Sequence, residues 1–290
     1  MDDKKNFRIA MVNRKGGCAK TGSTHQLSGA FAKQLGMRVL LVDMDPQASL
    51  TQGFFGPAAT EALPDGKTVL ALFDDSLDPD PEKVLIPTPC EGITLLAGAN
   101  RLDDFNRPQP TQEGSLQTAL RSFLNEVQDQ FDVVLIDCPP NLHLCSWNAL
   151  LAADFVMVPL QAEDFGAQGI THIQRAIDAA LEKYNPNLRM LGYLITLRQR
   201  LAIHDAYEHQ LRQLYGELVF DAPFPMKKDF KEAIAQRAPI HFLKPKCGAA
   251  KDVAKIAEEI LRRIPEARSK EPEFLHFENR VSVETRRIAI

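Results

Sequence analysis

Short apolar runs of strand length alternate along this chain with segments in which apolar residues recur every three or four positions. Phe7 to Val12 reads as a fully buried strand, and Arg38 to Asp43 as a second. Between them, Ser23 to Gly36 has apolar or small residues at Leu27, Ala30, Phe31 and Leu35, the spacing of a helix, with Gly36 as its stop. Gly92 to Ala97, Phe131 to Cys138, Asp154 to Pro159 and Met190 to Thr196 are further strand candidates, and Leu218 to Phe220 is a short one. Helical patterns cover Gln117–Val127, Gln168–Tyr184, His204–Tyr215 and Asp252–Arg263. Residues 57 to 90, rich in Pro, Asp and Gly, read as a surface excursion with one short helical candidate at Val69–Phe73. Strands alternating with helices throughout predict an α/β protein, its mostly parallel sheet covered by helices on both faces.

The first strand leads through Asn13-Arg14-Lys15-Gly16-Gly17-Cys18-Ala19-Lys20-Thr21 into the first helix. A strand that turns through small residues into a helix can wrap backbone N–H groups around phosphate oxygens, while the positive helix end faces the same anion. Lys20 would then reach the β- and γ-phosphates, and the Thr21 hydroxyl would hold Mg²⁺. The second strand ends in Asp43-Met44-Asp45-Pro46-Gln47, with carboxylates at the edge where ligands bind in an open parallel sheet. Phe131-Asp132-Val133-Val134-Leu135-Ile136-Asp137 ends in the second carboxylate expected of a nucleoside-triphosphatase.

The general phosphate-loop template G-x-x-x-x-G-K-[ST] fits poorly, since Arg14 and Ala19 occupy its glycine positions. Instead, the stretch resembles the K-G-G-x-G-K-[ST] form of the ParA/MinD family of dimerising ATPases, with Ala19 where glycine is usual. The segments Asp43–Gln47, Phe131–Pro140 and Leu160–Phe165 also look like that family's, and the resemblance spans roughly residues 7 to 264. It implies a P-loop NTPase fold, ATP and Mg²⁺ as cofactors, and two subunits sandwiching their nucleotides in a homodimer. Residues Lys15, Gly16, Gly17, Cys18, Ala19, Lys20, Thr21 and Gly22 would surround the phosphates, with Thr21, Asp43 and Asp137 around the metal. By the same resemblance Lys15 would serve the partner's nucleotide and Asp45 would align the attacking water. Thr196 and the Pro225-Met226 turn would approach the adenine. Non-specific DNA would meet Arg198, Arg200, Lys227, Lys228, Lys231, Arg237, Lys244 and Lys246. An adaptor protein of ParB or analogous type would stimulate hydrolysis, and the cargo would be a chromosome, a plasmid or a protein assembly.

Composition narrows this little. The chain has 290 residues, 44% hydrophobic and 25% charged, enough for one large α/β domain, here expected over residues 1–264 with a tail at 265–290. With the first strand at about residue 7, the short, chromosomal or cargo-positioning forms are the closer match. The net charge of −4 does not advertise nucleic-acid binding, yet it is uneven. Residues 61–92 carry eight acidic and two basic side chains, whereas residues 225–263 carry ten basic and five acidic. That asymmetry leaves room for a local basic face. Five scattered cysteines, with no apolar segment of a secretory signal behind Met1–Lys5, predict reduced thiols in a cytoplasmic protein, and the family resemblance implies association with the nucleoid. No run of 18 apolar residues is present, so no membrane span is expected. His204 and His209 lack zinc-protease spacing, and Cys138 and Cys145 form no C-x-x-C pair. Two alternatives stay open: a membrane-associated positioning ATPase of MinD type, and an ATP-dependent biosynthetic enzyme on the same fold.

Overall fold

The computed structural model of the chain describes residues 6–161 and 167–270. Residues 162–165 of the Leu160–Phe165 segment and the tail beyond Lys270 lie outside the described residues. Eight strands form one sheet: β1 (Phe7–Met11), β2 (Val39–Asp43), β3 (Leu85–Pro87), β4 (Ile93–Leu96), β5 (Val133–Asp137), β6 (Phe155–Gln161), β7 (Arg189–Arg198) and β8 (Phe224–Pro225). Their order is β3-β4-β2-β5-β1-β6-β7-β8, and every neighbouring pair is parallel except the β3–β4 edge. The parallel sheet predicted from the alternation is therefore present, with an antiparallel strand added at one edge.

The period-two rule explains both faces at once. Ala10, Leu40, Val42, Val134, Ile136, Val156 and Val158 point to one side, where helices carrying Leu120, Phe123, Leu150, Ile173 and Ile177 cover them. Ile9, Met11, Val39, Leu41, Val133, Leu135 and Met157 point to the other, packed by Leu27, Phe31, Phe54, Val253, Ile256 and Ile260. Each fully buried aliphatic side chain contributes about 1.5–3 kcal/mol of transfer free energy. Two such layers back to back account for strands that read as nearly unbroken apolar runs.

Several boundaries differ from the periodicity. The first helix begins at Lys20 and passes at Ala30–Gln34 into a π turn, in which Leu35 N–H donates to Ala30 at 3.1 Å, before Gly36 ends it at φ 68°. Residues 57–90 are more than an excursion: Val69, Leu70, Ala71, Phe73 and Val84 are buried, and Leu85–Pro87 supplies the edge strand. At Leu218–Phe220 the chain instead forms a 3₁₀ turn, Gly216–Leu218, and a single bridge from Val219 to Tyr193, so the pairing strand comes later, at Phe224–Pro225. The last helix, Gly248–Ser269, outruns its expected ends on both sides. Helices Ser49–Phe55 and Lys228–Ala235 were not expected.

β1 sits between β5 and β6, where the strand order reverses direction. In an open parallel sheet this switch point leaves a crevice at the C-terminal strand ends. Register fixes what lines it: Met11 pairs with Asp137, and Asp137 with Asp43, so both carboxylates stand level at the end of β1.

Candidate functional site

The loop from Asn13 to Thr21 leaves β1 and is shaped by side chains on either flank. Asn13 donates to the Pro159 carbonyl at 2.6 Å and accepts the Lys15 N–H at 3.0 Å, folding the chain back over β6. Gln161 donates to the Gly17 carbonyl at 3.1 Å. Thr196, fully buried, donates to the Cys18 carbonyl at 2.8 Å, which places it beneath the loop as a brace. Lys20 lies inside the curl, its Nζ donating to the Lys15 carbonyl at 3.1 Å. Lys15, Gly16 and Gly17 are exposed at the rim.

Ala19 stands at φ 60°, ψ 30°, the left-handed region that a glycine would occupy without a Cβ clash. Four non-glycine residues among those described have positive φ; Ala19 and Arg237 line the crevice, Ala48 lies between its lining residues Gln47 and Ser49, and Leu197 follows Thr196, which bonds the loop. Strain of this kind persists where surrounding structure holds it, and it concentrates at functional sites.

Beside the loop, Thr21 Oγ1 donates to Asp137 Oδ2 at 2.6 Å, while Asp137 Oδ1 is buried with no hydrogen-bond partner. Burial pushes the Asp137 carboxyl well above the usual carboxylate range, and neighbouring Asp43 adds to the rise against the Thr21 hydrogen bond and Lys20. Asp43 is pushed up to about 7, chiefly by burial. Its oxygens are already occupied: Oδ2 accepts from Thr51 N at 2.9 Å and Thr51 Oγ1 at 2.7 Å, and Oδ1 accepts from Asp45 N at 3.3 Å. Gly98 closes the cradle, since a Cβ there would lie 2.8 Å from the Asp43 carboxyl carbon. Two paired buried carboxylates, one with an orphan oxygen beside a threonine hydroxyl, form an all-oxygen donor set of the kind hard divalent cations take. Thr21 and Asp137 fit Mg²⁺ directly, and Asp43, held by Thr51, stands beside Asp137 in the strand register.

Asp45 reaches the crevice with Oδ1 accepting the Gln47 N–H at 3.0 Å. The crevice has a volume of about 690 Å³, within the range of small-ligand sites, and runs from Gly16–Gly22 past Asp45 and Pro140 to Ile234, Ala235 and Arg237. Pro225 and Met226 lie apart from it, in a second groove of about 1090 Å³. The basic residues expected for DNA divide into groups. Arg198 pairs with Asp205 and Glu208, Lys227 with Asp252, and Lys244 with Glu232. Arg200, Lys228, Lys231 and Lys246 are exposed without an ion pair among the described residues, and Arg237 faces the loop crevice.

Sequence reasoning missed Thr51 and Gly98, which hold Asp43, because their roles come from contacts 8 and 47 positions away along the chain from Asp43 and Thr51 respectively. Asn13 was legible in principle: an Asn after a strand, ahead of a glycine pair, can form an Asx turn.

A family model described as AAA domain matches residues 7–190. The chain is 33% identical to the chromosome-partitioning ATPase Soj of Thermus thermophilus over 90% of its own length and 97% of that protein's. It is 30% identical to the chromosome partitioning protein ParA of Caulobacter vibrioides, over 88% and 94% of the two chains. Among solved structures, the cobyrinic acid a,c-diamide synthase of Mycobacterium smegmatis with bound ATP analog and magnesium superposes with a TM-score of 0.74 at 29% identity, covering 93% of this chain and 99% of that one. A loop with Lys15 and Lys20, carboxylates at two strand ends and relatives along nearly the full length converge on one assignment: the chain belongs to the ParA/MinD family of P-loop ATPases, with the Soj/ParA partitioning ATPases among its relatives.

Proposed function

We propose that the protein is a ParA-type ATPase that pairs on ATP, binds DNA without sequence preference and positions or segregates a cargo, reset by an adaptor that stimulates hydrolysis. The observation that carries this reading is the Thr21–Asp137 contact beside the loop, with Asp45 on the same crevice. Lys20 and the loop amides hold the polyphosphate, and Thr21 and Asp137 hold Mg²⁺, which when bound offsets the charge of the phosphates. Asp45 keeps Oδ2 without a partner among the described residues, in position to orient a water. Lys15, at the exposed rim, supplies a cation to the second subunit's nucleotide, so charge is stabilised only in the pair. Exposed Arg200, Lys228, Lys231 and Lys246 carry the DNA contacts. Retention on non-specific DNA with ATP, and its loss with ADP, tests this directly; equal retention in both nucleotides sinks it.

The likeness to the Mycobacterium smegmatis synthase supports a second reading, an ATP-dependent biosynthetic enzyme. Its substrate would need the groove beside Pro225 and Met226, but five cations and five carboxylates line that groove, unlike the mainly apolar walls of small-molecule sites. Any product beyond ADP and phosphate would favour this reading. A membrane-associated role of MinD type needs a segment that lies on lipid, and the tail beyond Lys270, where such a segment is expected, lies outside the described residues.

A further inference from the structure

The geometry points to Arg237 as a cation, from the same subunit, for the terminal phosphate of the bound nucleotide, an assignment that rests on the ATPase reading above. Three observations support it. Arg237 lines the same crevice as the phosphate loop, together with Gly16, Lys20, Asp45 and Pro140. The loop residues expected around the phosphates line this crevice, whereas Pro225 and Met226, expected at the adenine, open on the other groove.

The guanidinium lies against Gly56, which caps the Ser49–Phe55 helix; a Cβ at Gly56 would collide with it. Gly56 itself is at φ 81° and leaves the space open. Finally, Arg237 is exposed and its guanidinium forms no ion pair or side-chain hydrogen bond among the described residues, unlike Arg198, Lys227 and Lys244 nearby in sequence or patch. Its backbone sits at φ 57°, a conformation that glycine adopts without penalty. A charged side chain kept in that conformation, aimed along a wall of the crevice, is placed for an anion. The planar guanidinium can give two parallel hydrogen bonds to phosphate oxygens, which a lysine cannot.

The test compares binding of AMPPNP–Mg²⁺ and ADP–Mg²⁺ to wild type, Arg237→Ala, Arg237→Lys and Gly56→Val. Arg237→Ala keeps a Cβ and so leaves the backbone strain unchanged. Loss of one charge-assisted hydrogen-bonding group predicts AMPPNP affinity about tenfold weaker in Arg237→Ala, with ADP affinity unaltered and Arg237→Lys between the two. Gly56→Val, which displaces the guanidinium sterically, should reproduce the selective loss if its circular dichroism matches wild type; if it does not fold, Arg237→Ala decides alone. Equal losses for both nucleotides, or no loss for either, overturn the proposal. So does an Arg237→Ala protein that loses only DNA retention. Wild type that binds neither nucleotide instead removes the ATPase reading, and this proposal with it.

Discussion

Ala19 and His25 show how much single residues near the loop set. Ala19 holds a left-handed backbone with a Cβ that costs about 1–2 kcal/mol, against the extra chain entropy of about 0.5–1 kcal/mol that glycine would lose on folding. Ala19→Gly should therefore stabilise the protein by about 0.5–1 kcal/mol, read as a higher urea midpoint at unchanged slope. His25, in the helix that follows Ala19, is fully buried against Phe54 at a ring distance of 4.6 Å. Gln26 Oε1 accepts the Ile240 N–H at 2.8 Å, so its amide N–H faces His25 Nδ1 at 3.0 Å and the ring proton sits on Nε2. Burial lowers the imidazole from 6.5 to about 4. The unfolded chain thus binds the proton first as pH falls, and stability present above pH 6.5 is lost progressively down to about 4. Unfolding in urea should show about 2 kcal/mol less stability from this group at pH 5 than at pH 7, and His25→Gln should flatten that part of the slope. An unchanged slope in the variant would contradict it. At this scale the candidate site was legible where a polar residue stands just after an apolar strand run: Lys20 and Thr21 follow the loop after β1, Asp43 ends β2 and Asp137 ends β5. The left-handed angle of Arg237 and the Thr51 partner of Asp43 have no local sequence signal, because each is defined by a wall built from distant segments.

At the scale of elements, strands were read best because both faces of a parallel sheet are buried, so β2, β5 and β6 appear as apolar runs that turn polar only at their last residue, and β1 as one broken only by the buried Arg8. Short helices were harder. Ser49–Phe55 has seven residues and Ile240–Leu243 four, too few for periodicity to register. The antiparallel β3 is three residues long and includes Pro87, which the sequence pattern marks as a turn. The misplaced strand near Leu218 has a specific cause in the last helix. Glu259, almost fully buried, accepts N–H groups from Asp221 at 2.9 Å and Ala222 at 3.0 Å, and pairs with Arg263 at 2.7 Å. Arg263 in turn donates to the carbonyls of Glu217 at 2.7 Å and Val219 at 2.9 Å. This network, and not sheet pairing, fixes residues 217–222 and delivers Pro225 and Met226 to their groove. Glu259→Ala leaves Arg263 buried without its carboxylate and should cost about 3–5 kcal/mol in urea unfolding, whereas Glu259→Gln keeps acceptors for the turn and should cost less. Equal costs would locate the stabilisation elsewhere.

For the whole molecule, the proposed DNA contact depends on how charge is distributed. Arg198, Lys227 and Lys244 already have carboxylate partners, whereas Arg200, Lys228, Lys231 and Lys246 do not among the described residues. Alanine at Arg200 or Lys246 should weaken retention on any DNA sequence to a similar degree and lower the salt slope by about 1 for each charge removed, whereas alanine at Lys244 should change it less. A sequence-dependent loss would contradict contacts made to phosphate alone. The central claim is that nucleotide joins two copies through Lys15. Sedimentation equilibrium of wild type and Lys15→Ala, each with AMPPNP–Mg²⁺ and with ADP–Mg²⁺, measures it most directly. The account predicts twice the monomer mass for wild type with AMPPNP alone, and monomer mass in the other three samples; wild type that stays monomeric with AMPPNP, or a Lys15→Ala protein that pairs as tightly as wild type, would contradict it.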